Sequence, residues 1–493
     1  MEIRKKNLIL DKTIYFHRFK GVEYIGEFLD KCNEDTVVYF DPDIDGLISG
    51  LFICRALSIL GKPYSWYINS NREHGFFLPI DKVKGKNIIC VDFLMEKQEI
   101  VELVNAGCNI LSLDHHENKN SKDTLIEYKT ESNMGVVINN QYSFEEKSGN
   151  YLSGAGVVFE SLLTYLGDSF NTKENRALVG LTLLTDVRNI ENINARLYLQ
   201  ELYTHPYRGY IGYLLDNSIG DKDYGFGIPR LDRNYVDYKF SPLINSYLRF
   251  NKQDEVVDFI LGSGVLSLQY RDLQRDFVSE LLEKANIIPF DNLNVVVVDI
   301  AKFSPDTREY ISNFIGLLAS RVLDMKKSCI AYVVNGREVG RASFRGLVNG
   351  VNYLSPISEL VDGVGHEPAF GIKNLKPSKS LFKEISNICK KLEEGISFKA
   401  KYIEVGNFSM FANIRGYNLG IENIYCLSEN RVYVKYTGKN IVKKRNGAKF
   451  QEYSIDGVNV ICFNSDLDPS KDLILPIIER GVLNFYLDKV YRV

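Results

Sequence analysis

Residues 36–61 read TVVYFDPDIDGLISGLFICRALSILG, and this stretch decides the fold. The run TVVYF is short, β-branched and aromatic, which is the composition of a strand covered on both faces. From Gly46 to Gly61 apolar residues recur at helical spacing. Between strand and helix stands a turn carrying Asp41, Asp43 and Asp45. Outward from it the same rhythm repeats. YSWYIN (64–69) and NIICVDF (87–93) read as strands, MEKQEIVELVNAG (95–107) as a helix, and NILSLDHH (109–116) as a further strand. Alternating β and α segments predict an α/β fold with a parallel, doubly wound sheet, whose ligands bind beyond the carboxyl ends of the strands. The acidic residues fall at those ends.

The bulk numbers fit a protein of several domains. The chain has 493 residues, 45% hydrophobic and 25% charged, with a net charge of −3. That balance gives no global nucleic-acid signature, although a local one is compatible with it. No run of about 18 apolar residues is present, so neither a membrane span nor membrane association is expected. The N-terminal residues lack the pattern of a secretory leader. None of the eight cysteines stands in a C-x-x-C pair, and several lie inside apolar runs. They read as core residues of a reducing, cytoplasmic setting.

The chemistry lies in the acids. Alternate carboxylates on one short turn converge on a hard cation, because unneutralised like charges repel at that distance. Taken alone, Asp41, Asp43 and Asp45 also suit a helix cap and a surface turn. They are joined by Asp92 after NIICV, by Asp114, His115 and His116 after NILSL, and by Asp186 at the end of the apolar run in LVGLTLLTDVRN (178–189). Four acidic clusters at consecutive element ends, with two imidazoles, make a ligand set suited to manganese- or iron-type ions. Two such ions activate water and stabilise in-line displacement at phosphorus. The residues alone therefore predict a two-metal phosphoesterase.

Asp114-His115-His116 resembles the signature of the DHH phosphoesterase superfamily. The turn D-x-D-x-D-G is similar to the first motif of its RecJ-like branch, whereas the histidine that opens the motif in the oligoribonuclease and cyclic-dinucleotide branches would fall at Tyr39. The resemblance implies that Asp41, Asp43, Asp45, Asp92, His115 and Asp186 hold two Mn²⁺ ions, with Mg²⁺ as the alternative. It further implies that Asp114, His115 and His116 are catalytic, Asp114 orienting the imidazoles and His116 acting near the scissile phosphate. Asn71-Arg72-Glu73-His74-Gly75-Phe76 is similar to the branch's Arg and Gly-Tyr-Gly segment, and Ser153-Gly154-Ala155-Gly156-Val157 to its small-residue helix start. This implies that Arg72, Ser153 and Gly154 contact a phosphate.

A second α/β unit begins at NLNVVVVDI (292–300). In it Ser343-Phe344-Arg345 and Gly365-His366, with Ala369 and Gly371, resemble the S-x-R and G-G-H-x-x-A-x-G motifs of the DHH-associated domain, although Val364 replaces the first glycine. Ser343, Arg345, Gly365 and His366 are thereby implied to bind phosphate, for which arginine offers a bidentate fork. The segment LSLQYRDLQRDFVSELLEKA (266–285) reads as a strong amphipathic helix. The expected organisation is a metal-binding catalytic domain (1–260), a connecting helix (261–288), a DHH-associated phosphate-binding domain (289–396) and a small β domain (397–493). In the last, residues 431–449 carry seven Lys or Arg and no Asp or Glu, with a hairpin turn at Asn446-Gly447. Tyr433, Lys435, Tyr436, Lys443, Lys444 and Arg445 are the expected nucleic-acid contacts, offering charge and stacking surfaces.

The resemblance implies a monomeric 5′–3′ exonuclease that releases mononucleotides from single-stranded DNA in repair or recombination, with a single-strand-binding protein as a partner. The enzymatic alternative is hydrolysis of short oligonucleotides or cyclic dinucleotides. The alternative of a different class is an inactive, RecJ-derived replication scaffold. No chemistry is assigned to residues 190–260.

Overall fold

The computed structural model describes residues 14, 16–70, 75–116, 127–140, 151–186, 192–205, 208–217, 235–323, 327–347, 351–366, 368–394, 402–407, 433–446, 450–463, 472–479 and 482–492. Helix α1 (Ile25–Lys31) precedes strand β1 (Thr36–Phe40), every residue of which is buried. There follow α2 (Ile44–Ile59), β2 (Ser65–Ile68), β3 (Asn87–Val91), α3 (Lys97–Asn105), β4 (Asn109–Asp114), β5 (Glu127–Lys129) and β6 (Met134–Asn139). The sheet runs β2-β1-β3-β4-β6-β5, parallel throughout except for β5. Strand order reverses between β1 and β3, so the carboxyl ends of these two strands flank the switch point where such sheets bind ligands.

Side-chain parity sorts the two faces of this sheet. Tyr39, Ile88, Cys90, Ile110 and Val137 join Ile100, Leu103 and Val104 of α3 in one apolar cluster. Phe40 faces the other way, where a Cβ on Gly50 of α2 would run into its ring. Helices α4 (Gly154–Leu166) and α5 (Lys173–Thr185) pack on α2, as does α9 (Gln253–Leu261). Cover on several sides explains why α2 is buried nearly all round rather than along one stripe. Residues 190–260, to which the sequence assigns no chemistry, contain α6 (Ile193–Thr204), α7 (Gly209–Asn217) and α8 (Ser241–Arg249) before α9.

The chain divides into two compact units, Met1–Asn245 with Gln253–Ser267 and Ala400–Val493, and Ser246–Lys252 with Leu268–Lys399. The second unit has α10 (Gln269–Lys284), β7 (Asn286–Pro289), β8 (Leu293–Asp299), α11 (Pro305–Val322), β9 (Ser328–Asn335), β10 (Glu338–Arg345), β11 (Asp362–His366), β12 (Ala369–Lys373) and α12 (Lys379–Glu394). Its sheet order is β11-β12-β10-β9-β8-β7. Val296 and Val298 of β8 pack with Phe277, Val278 and Leu281 of α10 and with α11. Leu293 and Val295 pack toward Phe382, Ile385 and Cys389 of α12. The helix expected as a connector is thus also part of this unit's core. A third sheet runs β13-β14-β18-β19-β17-β16-β15, built from β13 (Tyr402–Val405), β14 (Tyr433–Tyr436), β15 (Ile441–Asn446), β16 (Phe450–Ile455), β17 (Val458–Phe463), β18 (Asp472–Glu479) and β19 (Val482–Arg492). Among the described residues no helix is long and apolar enough to cross a membrane. Among the described residues seven cysteines are buried and form no disulfide.

Candidate metal centre

Each acidic cluster sits where an apolar element stops. Asp41 follows β1 and is buried. Asp43 caps α2, accepting a hydrogen bond from the Gly46 amide at 3.0 Å. This cap fixes the strand-to-helix turn and places Asp45 in the first helical turn. Asp45 in turn accepts from the amides of Gly154 (2.7 Å) and Ala155 (3.0 Å), the first two residues of α4. Those amides have no partner within their own helix, and the helix dipole favours an anion there. Ser153 caps α4, accepting from the Gly156 amide at 3.3 Å, and its hydroxyl lies 2.8 Å from that of Thr182 on α5.

Asp92 follows β3 with φ 66°, a left-handed conformation uncommon for residues other than glycine. Its amide donates to the Leu113 carbonyl of β4 at 2.9 Å, which holds the turn. A Cβ on Gly154 would collide with the Asp92 carboxylate, so only glycine lets α4 start this close. His115 lies at the middle of the group. Its Nε2 is 3.2 Å from Asp92 Oδ1, 3.7 Å from Asp186 Oδ2 and 3.9 Å from Asp45 Oδ2. Asp186 is the C-cap of α5. Ligand atoms of Asp41, Asp43 and Asp92 approach within 4.8 Å of one another, as do those of Asp45, His115 and Asp186, and those of Asp92, His115 and His116.

Two of these carboxylates, Asp45 and Asp92, are hard to ionise as they stand. Burial pushes Asp45 up to about 7, with the Asp43 charge adding and the α4 amides opposing. Burial likewise pushes Asp92 well above the carboxylate range, helped by Asp45, Asp43, Asp41 and Asp186. Asp92 Oδ1 is buried and takes part in no hydrogen bond. Clustered buried acids with an imidazole and an unsatisfied oxygen fit a divalent cation, which supplies the missing charge and contacts. Asp114 has a different task. Its Oδ1 lies 2.7 Å from His116 Nδ1, and its Oδ2 accepts from Asn139 Nδ2 at 3.3 Å. Burial draws the His116 imidazolium down, but the Asp114 charge and hydrogen bond outweigh it, and the ring rises to about 9.

Of the residues singled out in the sequence, Asp41, Asp43, Asp45, Asp92, Asp114, His115, His116 and Asp186 gather at one end of the first sheet. Ser153 and Gly154, expected on a phosphate, are engaged inside the protein, where they anchor α4 and Asp45. Arg72, with residues 71, 73 and 74, lies outside the described residues. In the second unit Arg345 and His366 pair with the same residue, Ala369, from its two sides. Arg345 Nη1 donates to Ser343 Oγ and to the Phe344 carbonyl, both at 2.7 Å, and a Cβ on Gly316 of α11 would lie 2.6 Å from Nη2. Gly365 adopts φ 139°, which favours glycine.

In the third sheet Lys443, Lys444 and Arg445 are exposed on β15, an edge strand, and Lys435 is half-buried. Tyr436 corrects an expectation. It is buried, donates to Asp456 at 2.9 Å and accepts from the Asn440 amide, so it fills the core instead of offering a stacking face. Tyr433 is placed by its backbone alone, opposite Tyr402. Residues 447–449, including the expected hairpin turn, lie outside the described residues. Sequence reasoning missed Asn139. The signal was present in MGVVIN, an apolar strand ending in a polar residue as β4 does.

Residues 35–184 match the model of the DHH family, N-terminal domain. Among curated proteins nothing matches. The fold is similar to RecJ from Thermus thermophilus, solved in complex with Mn²⁺ (TM-score 0.67, 18% identity, covering 99% of this chain and 74% of that one) and with Mg²⁺ (0.61, 16%, 99% and 72%). It is also similar to an exonuclease RecJ bound to manganese (0.51, 19%, 77% and 96%). At such identities the likeness is one of fold. Residues 35–184 thus match the N-terminal domain of the DHH family, and the chain shares its fold with RecJ.

Proposed function

We propose that the protein is a metal-dependent phosphodiesterase that degrades single-stranded DNA from the 5′ end to mononucleotides. One observation carries this reading. His115 Nε2 stands within 3.2–3.9 Å of carboxylate oxygens from three separate elements, Asp92, Asp186 and Asp45. Buried carboxylates converge this closely only when protons or cations neutralise them, and a cation also supplies the contact that Asp92 Oδ1 lacks. Asp41, Asp43, Asp45, Asp92, His115 and Asp186 would hold two divalent ions, Mn²⁺ fitting the mixed carboxylate and imidazole set and Mg²⁺ being the alternative. Such ions, when bound, neutralise charge at the phosphate and acidify the attacking water. Asp114 holds His116 protonated, and that imidazolium can donate to a phosphate or leaving oxygen. In the second unit Arg345, with Ser343, Gly365 and His366, suits a strand's phosphate. The exposed cations of β15 suit its backbone.

The likeness to RecJ supports the exonuclease form of the reading, and the cytoplasm and a single-strand-binding partner accord with it. The test is Mn²⁺-dependent hydrolysis of end-labelled long single-stranded DNA, RNA of equal length, a trinucleotide and a cyclic dinucleotide. Mononucleotide release from the 5′ end of the long DNA is expected. Activity confined to the short or cyclic substrates overturns the exonuclease reading. Absence of both hydrolysis and ion binding leaves a scaffold.

A further inference from the structure

Away from the metal centre, α4 carries a buried acid for which the proposed reaction has no use. Glu160 has 1% of its surface exposed. Its Oε2 accepts from the His17 backbone amide at 2.7 Å and lies 2.9 Å from His17 Nδ1, while its Oε1 accepts from the Tyr198 hydroxyl at 2.7 Å. Tyr151, just before the Ser153 cap, brings its hydroxyl within 3.5 Å of His17 Nδ1. Buried carboxylates persist only when bonded this fully.

The position of this node matters. Glu160 lies six residues beyond Gly154, about 9 Å along the helix axis, and α4 is the helix whose first amides hold Asp45. Tyr198 belongs to α6, and its carbonyl presses on Gly180 of α5 so closely that a Cβ there would collide with it. Helix α5 ends at Asp186. Two rigid paths therefore leave the node, one down α4 to Asp45 and one across Gly180 and along α5 to Asp186. The Ser153–Thr182 contact, 2.8 Å, is a second rung between α4 and α5.

We propose that Glu160, gripped by His17 and Tyr198, is a positioning residue that sets the separation of Asp45 and Asp186 and so the affinity for a divalent cation. The proposal rests on the reading of the acidic cluster as an ion centre. The N-terminal segment around His17 then forms part of the apparatus that shapes the site, although it contributes no ligand.

The experiment is a Mn²⁺ titration followed by the electron paramagnetic resonance of the free ion, on the native protein, Tyr198→Phe and Glu160→Gln, together with thermal melting in EDTA. Tyr198→Phe keeps the ring and removes only the hydroxyl. It is expected to raise the Mn²⁺ Kd about tenfold, at the low end for residues that orient ligands without binding the ion. Glu160→Gln keeps one carbonyl oxygen and is expected to raise it several-fold, which serves as the readout should Tyr198→Phe fail to fold. A lowered melting temperature with native Mn²⁺ affinity in the folded variants overturns the positioning role and leaves a structural one. Failure of the native protein to bind Mn²⁺ overturns the ion-centre reading, and this proposal with it.

Discussion

Asp114 and His116 stand 2.7 Å apart, and Asn139 holds the second carboxylate oxygen. Replacing Asp114 by Asn keeps the shape and removes the charge that keeps the imidazole protonated. The expected outcome is a fall in kcat of about 10²–10⁴-fold, the range for general acid–base groups, with Mn²⁺ affinity within a few-fold of native. An equal collapse of Mn²⁺ binding would place Asp114 among the ligands instead. Asp45 supports a pH prediction. Its folded pKa of about 7 lies above the ordinary 3.8, so the folded state binds the extra proton between those values. In EDTA, stability contributed by that proton is complete below about pH 4 and is lost as pH rises toward 7. Asp92, shifted the same way, extends the loss upward. A bound cation replaces the proton, so the rise in Tm on adding Mn²⁺ should be larger at pH 8 than at pH 5. Differential scanning calorimetry with and without the ion measures both values, and equal shifts at the two pH values would count against the centre.

The start of α4 is the element on which the geometry turns. A methyl at Gly154 meets the Asp92 carboxylate, so Gly154→Ala must displace either that carboxylate or the helix start that clamps Asp45. The expected cost is about 1–3 kcal/mol, as for overpacking, together with weaker Mn²⁺ binding in the same titration; native values for both would mean that the contact relaxes freely. This clamp was not legible in the sequence. Small residues at 153–157 suggested room for a phosphate, and nothing local reveals that their amides are taken by a carboxylate 109 residues earlier. The clustering of the acids was legible, because they stand at the ends of apolar strands, at the start of α2 and at the end of α5. Tyr436, expected as a stacking surface in a basic run, is instead a core residue. Strand parity places it on the same side as Val434, and both are buried. Residues 190–260 resisted reading because their helices are short, 9 to 12 residues, and give a 3.6-residue pattern few turns in which to repeat.

At the scale of the whole chain, the proposed strand contacts of β15 should separate long substrates from short ones. Reversing Lys443, Lys444 and Arg445 to Glu should weaken binding of a long single strand and reduce its salt dependence. The slope of log K against log salt should drop by about 2, at ~0.7 for each of three phosphates. Trinucleotide hydrolysis should stay at the native rate. Fluorescence anisotropy across a salt series reads the first and a release assay the second; equal loss of both would deny β15 a separate role. The composition of the second unit has a consequence for modularity. Residues Ser246–Lys252 belong to it although they precede Leu268. Within them Phe250 packs against Tyr270, Phe277, Tyr310 and Phe314, and the Arg249 carbonyl accepts from Asn313 of α11. A recombination break at residue 268 would carry off the strands and strand Phe250 on the other side. Losing a fully buried aromatic costs about 3–5 kcal/mol, and the half-buried Phe250 would cost part of that, against the roughly 5–15 kcal/mol that holds a typical domain. Single-cut gene exchange therefore selects against moving this unit alone, and its seven-residue upstream finger binds the two halves of the gene into one inherited block.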